Sequence, residues 1–126
     1  MNPGLWVTLT YHDADAAMDW LKAIGFTENE VYRDDEDPGV VVHAELLWPA
    51  GGGVMLGTYR PNPEWPKQPG KGSAYAVTQD VDGTYDAALA AGGRSLQAPR
   101  DQSYGGRSAA VADPEGNIWS FGSYGA

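Results

Sequence analysis

In "LWVTLTY" (residues 5–11) Val7 and Leu9 alternate with Trp6, Thr8 and Thr10. This period of two predicts a strand with one apolar and one mixed face. Over residues 13–25 the period lengthens, and Ala17, Trp20, Leu21 and Ile24 recur at helical spacing. Asp13 suits the N-cap, acidic residues suit the positive end of the dipole, and Gly25 can end the helix in the left-handed region. Three further strands are predicted over 26–33, 39–48 and 53–59, separated by the turn-forming stretches "DDEDPG" and "PAGGG".

The second half repeats this order. "SAYAVTQ" predicts a strand, residues 80–92 a helix with Val81, Tyr85, Ala88 and Leu89 on its apolar side, and 94–99, 107–112 and 117–124 three strands. Asp13, Asp15, Asp19, Ala23 and Gly25 recur at an offset of 67 as Asp80, Asp82, Asp86, Ala90 and Gly92. "VMLGTY" (54–59) matches "WSFGSY" (119–124) at an offset of 65. The chain is therefore expected to be α+β, a single domain of two tandem βαβββ modules. They span about 1–60 and 72–126, joined by the linker 60–71, "RPNPEWPKQPGK", whose four prolines suit an ordered but irregular connection.

Composition narrows the function. The chain has 126 residues and no cysteine, which excludes disulfides, thiolate metal sites and cysteine nucleophiles, and a reducing cytoplasm is the expected location. "MNPGLWVTLTYHD" has no basic region before an apolar run, so no signal peptide is expected, and no apolar stretch is long enough for a membrane span. Seventeen acidic against eight basic residues give a formal charge of −9. Such a field disfavours nucleic acid and anionic lipid and favours a cationic ligand.

The Asp-x-Asp helix starts, "VVHAELLW" (41–48) and above all "YGGRSAAVADPEGNIWSFGSY" (104–124) resemble the vicinal-oxygen-chelate superfamily. Its members include glyoxalase I, extradiol dioxygenases, and the fosfomycin and bleomycin resistance proteins. The resemblance implies two curved half-barrels, a ligand cleft between modules and a homodimer, sometimes with modules paired across chains. In the metalloenzymes of that superfamily four inward His, Glu or Gln side chains hold a divalent ion, from the first and last strands of each module. The matching positions here are Trp6, Met55, Ser73 and Ser120. Indole and neutral hydroxyl are poor donors to such ions, and a thioether prefers softer metals, so no metal and no cofactor is expected. His43 and Glu45 share a strand face, but two ligands alone are too few for a substitute centre, and a structural pair is favoured. Ser73 and Ser120 have no evident histidine partner, so no catalytic residue is assigned.

By strand parity the ligand-facing set is Trp6, Thr8, His43, Glu45, Met55, Gly57, Ser73, Tyr75 and Ser120, with Trp65 on the linker and Tyr104 on the "QSYGGRS" loop. Flat aromatics, an adaptable Met, small residues and a few hydroxyls make the lining of a small-molecule pocket. Non-catalytic sequestration of a hydrophobic, aromatic molecule is the expected function, as in antibiotic-resistance members of the superfamily, and the acidic surface favours a cationic one. The alternatives are a glyoxalase- or lyase-type enzyme with a non-standard metal site near His43 and Glu45, and a dimeric interaction module.

Overall fold

A computed structural model describes residues 2–125. The first module runs β1 (Trp6–Tyr11), α1 (Ala14–Ile24), β2 (Thr27–Arg33), β3 (Val41–Leu47) and β4 (Gly53–Thr58). The second runs β5 (Ser73–Val77), α2 (Val81–Ala90), β6 (Arg94–Asp101), β7 (Arg107–Ala112) and β8 (Ile118–Gly122). Each makes a four-stranded sheet, ordered β1-β4-β3-β2 and β5-β8-β7-β6. The opening strand lies parallel to the closing one, and the other pairs are antiparallel.

Local chemistry sets the helix ends. Asp13 accepts from Ala16 N at 3.0 Å, and Gly25 ends α1 at φ 125°. Asp80 repeats the cap on Gly83 N, and α2 ends at Ala91 just before Gly92, which takes φ 111°. The predicted stripe Ala17, Trp20, Leu21 and Ile24 is buried on α1, joined by Ala14 and Met18. Helix α2 buries only Val81 and Ala88, because Tyr85 stays half out and donates its hydroxyl to Ser95 at 2.7 Å. Strand β6 continues through Pro99, past its predicted end. It is an edge strand, and the proline falls where the register with β7 shifts, so its missing N–H breaks no regular ladder.

One apolar core joins residues of both modules, including Leu9, Trp20, Leu46, Val54, Ala76, Ala88, Trp119 and Phe121. Polar tips of aromatic side chains stitch the halves together. Trp20 Nε1 donates to Ala88 O at 3.0 Å, and Trp48 Nε1 donates to Val77 O at 2.8 Å. The third stitch is the tightest: the buried Tyr11 hydroxyl donates to Asp113 Oδ2 at 2.6 Å.

Asp113 opens the "DPEGN" turn, and the turn works as a clamp. Its Oδ2 also accepts from Asn117 Nδ2 (3.0 Å) and Trp119 Nε1 (3.1 Å), while Oδ1 accepts from the backbone N–H groups of Glu115 and Asn117. Glu115 reaches across to accept from the N–H groups of His12 (2.6 Å) and Asp13 (2.8 Å), at the start of α1. Asn117 Oδ1 accepts from Gly72 N at 2.9 Å, tying down the end of the linker.

Burial first, and the Asp113 carboxylate second, push the Tyr11 phenol far above the ordinary tyrosine range. An unfolded tyrosine ionises near pH 10. A raised folded pKa gives stability that is fully present below that pH and is lost as pH rises above it. Chemical denaturation at pH 9 to 11 should therefore show stability falling above pH 10, by up to about 1.4 kcal/mol per pH unit from this group. Tyr11→Phe should flatten that slope while lowering stability at pH 8. An unchanged slope in the variant would place the alkaline sensitivity elsewhere.

Candidate functional site

The strand residues turned away from the core form an outward face on each sheet. On the first sheet, Thr8 pairs with Met55 and Thr10 with Gly57 across β1 and β4, while His43 stands on neighbouring β3. The linker lies over this face. Together they line an open cavity of about 340 Å³ bordered by Thr8, Thr10, His43, Met55, Gly57 and Trp65, with Arg60 and Lys67. Trp65 is 66% exposed, so an indole that nothing buries stands at the mouth. A neighbouring cavity of about 320 Å³ shares Thr8, Thr10 and Lys67 and adds Gln68 and Lys71.

Five predicted site residues (Thr8, His43, Met55, Gly57 and Trp65) thus meet at one cavity. Trp6 lies one step along the same face, its ring laid across Gly53, where an added β-carbon would fall 2.6 Å from Cζ3. Glu45 also stands on this face, opposite Met55 in the β3–β4 register. It accepts from Asn29 Nδ2 at 2.9 Å, and its Oε2 lies 2.8 Å from His43 Nε2. These hydrogen bonds, His43's foremost, hold the Glu45 carboxyl below the usual carboxylate range. The carboxylate therefore accepts, and His43 donates from Nε2.

Ser73, Tyr75 and Ser120 belong to the outward face of the second sheet, and Tyr104 to the loop beyond it, and none of the four lines this cavity. Tyr75 leans over Gly122, a position where a β-carbon would meet its hydroxyl, and donates to Tyr124 O at 3.3 Å. Tyr104 is exposed and packs its ring on Tyr124 at 5.4 Å. Arg107, beside that loop, is held by Asp82 at 2.8 Å and Asp101 at 3.2 Å.

Residue reading from sequence passed over Arg60, Lys67 and Lys71. Their signal was available, since three of the chain's eight basic residues fall within the linker 60–71. A third cavity, of about 250 Å³ and mostly apolar, is lined by Leu5, Val7, Phe26, Trp48, Ala74, Ala76 and Trp119 together with the predicted site residue Tyr75.

The metal positions implied by the fold can be tested against these surroundings. Trp6 is packed on Gly53, Met55 sits between threonine and carboxylate neighbours, and Ser73 and Ser120 lie on the second sheet beside Tyr75. Indole, thioether and two neutral hydroxyls do not supply the charge and lone pairs that a hard or borderline divalent ion needs. Among the described residues no three His, Asp or Glu side chains stand together as a metal-holding group. The side chains at the inherited positions do not fit the ion.

Two tandem βαβββ modules, with a lined cavity on the outward face of one sheet, define a glyoxalase-type scaffold. The chain belongs to the glyoxalase/bleomycin resistance protein/dioxygenase superfamily, whose model matches residues 5–121. Among solved structures, TioX from Micromonospora sp. ML1 is similar at 29% identity and a TM-score of 0.74, covering 94% of this chain and 95% of that one. A superfamily member from Sphaerobacter thermophilus DSM 20745 shares 24% identity at a TM-score of 0.68, with 93% of each chain covered. The V278E mutant of glyoxalase I from Zea mays shares 18% identity at a TM-score of 0.73, over 96% of this chain but 44% of that longer one. No curated protein matches the sequence. Among the described residues no helix is long and apolar enough to cross a membrane.

Proposed function

We propose that this protein binds and sequesters a planar aromatic small molecule without altering it, in the manner the bleomycin-resistance branch of its superfamily suggests. The observation that carries this reading is the cavity beneath Trp65. It combines an exposed indole, an adaptable thioether, hydroxyls at Thr8 and Thr10, and Gly57, which leaves space on the sheet. Stacking contributes about 0.5–1.5 kcal/mol per aromatic pair beyond burial. With methionine contact and apolar burial, the roughly 8 kcal/mol needed for micromolar binding is within reach. The same reading has the chain act as a homodimer in the cytoplasm, and the exposed Tyr75 and Ile118 on the second sheet support a partner surface there.

Catalysis has less to work with. His43 Nε2 is engaged by Glu45, and neither Ser73 nor Ser120 hydrogen-bonds to a histidine. The enzyme alternative rests on that His43–Glu45 pair.

Calorimetric titration with the neutral probe acridine-9-carboxamide tests the proposal. Saturable binding is expected, with the probe recovered chemically unchanged. Trp65→Ala should weaken affinity about tenfold, the equivalent of about 1.4 kcal/mol, while thermal stability stays within about 2 °C because the ring is mostly in solvent. Turnover of the probe would favour the enzyme, and an affinity indifferent to Trp65 would empty this cavity of its role.

A further inference from the structure

We infer that the cavity recognises an anion: its ligand is an aromatic molecule bearing a carboxylate, held by Lys67 and Lys71. This deepens the binding proposal above and rests on it. The net charge of −9 argues for a cationic ligand, but net charge is a sum over the whole surface. At physiological ionic strength exposed charges are screened beyond about 8 Å, so a bound group responds chiefly to its neighbours.

Those neighbours are basic. Arg60 and Lys67 line the first cavity, Lys67 and Lys71 line the second, and no Asp or Glu lines either. Arg60 is engaged by Asp34 at 3.4 Å. Lys67 and Lys71 form no ion pair among the described residues. Lys67 Nζ stands over one face of the Trp65 ring, 6.0 Å from its centre, which places an ammonium against the indole and leaves the opposite face for an aromatic ligand. The hydroxyl-bearing Thr8 and Thr10 line both cavities with it. Carboxylates lie close by without lining either cavity: Asp34 on Arg60, Glu45, whose charge is occupied by His43 and Asn29, Glu64 on the linker, and Glu115, whose carboxylate is taken by the N–H groups of His12 and Asp13 while its carbonyl packs on Gly70.

An aromatic body against Trp65 and Met55 would therefore present its carboxylate to two ammonium groups that no described carboxylate engages, an arrangement that strengthens hydrogen bonds by adding charge. The linker supplies both the stacking surface and the cations, so it acts as the specificity element of the site.

Three probes of one ring system separate the possibilities: acridine-9-carboxylate, acridine-9-carboxamide and 9-aminoacridine, titrated calorimetrically at low and high salt. The carboxylate is expected to bind at least about tenfold more tightly than the carboxamide, with the advantage shrinking as salt rises. In the double variant Lys67→Gln/Lys71→Gln that advantage, read as the ratio of carboxylate to carboxamide affinity within the variant, should fall to about threefold or less. Equal or tighter binding of the amide or the amine overturns the inference but leaves the aromatic cavity standing, as does a preference that survives the double variant. Failure of all three probes to bind would overturn the sequestration reading itself, and this inference with it.

Discussion

Replacing Asp113 with alanine is expected to cost about 4 kcal/mol of folding stability, lowering the melting temperature by about 15 °C. The carboxylate accepts five hydrogen bonds, three of them on Oδ2 from Tyr11, Asn117 and Trp119. Tyr11, Asn117 and Trp119 are all buried to within 2% of full occlusion, so water cannot readily replace the lost acceptor. An unsatisfied buried donor costs about 1–3 kcal/mol, and removing Asp113 strands several at once. Against a typical total of about 5–15 kcal/mol this is a large share. Asp113→Asn, which keeps one acceptor oxygen, should lose roughly half as much. Denaturant unfolding of the two variants decides the matter. A loss below about 1 kcal/mol in Asp113→Ala would mean that the turn is not the clamp between modules.

The second large effect is expected at Gly70. Its φ of 77° lies in the left-handed region, and a β-carbon there would overlap the carbonyl oxygen of Glu115. The backbone conformation alone costs a non-glycine residue about 1–2 kcal/mol. The overlap is with backbone, which cannot rotate away as a side-chain tip could, so the linker or the "DPEGN" turn must move. Gly70→Ala should therefore lose about 3 kcal/mol in all. Gly105 supplies the control, since its φ is 108° but an added β-carbon meets nothing within 4 Å. Gly105→Ala should show the conformational cost alone. Equal losses in the two variants would remove the overlap from consideration. Because Gly70 lies between Lys67 and Lys71, the shift in Gly70→Ala should also weaken binding of acridine-9-carboxylate.

Much of the fold was legible because it is written at short range. A period of two or of 3.6 reports which side chains share a face, and Asp13, Gly25 and Asp80 perform at the helix ends the tasks their chemistry suggests. Strand parity likewise put Thr8, Met55, Gly57 and His43 on the face where the cavity forms. Where sequence reading stopped short, distance was the cause. The "DPEGN" stretch reads as a turn, and nothing local says that Tyr11, 102 positions away, will place its hydroxyl on Asp113. Pro99 reads as the end of a strand, and only the position of β6 at a sheet edge lets the strand run on.

By itself, then, the sequence determined the repeat and the alternation of faces, because each depends on residue type and near neighbours. Tertiary structure decided which surfaces meet. It drew the linker over the first sheet and left Ser73, Tyr75 and Ser120 on the second, and it gathered basic side chains at the cavity of an acidic protein. Charge and burial act through space over a few ångströms, and chain order records neither until the fold has closed.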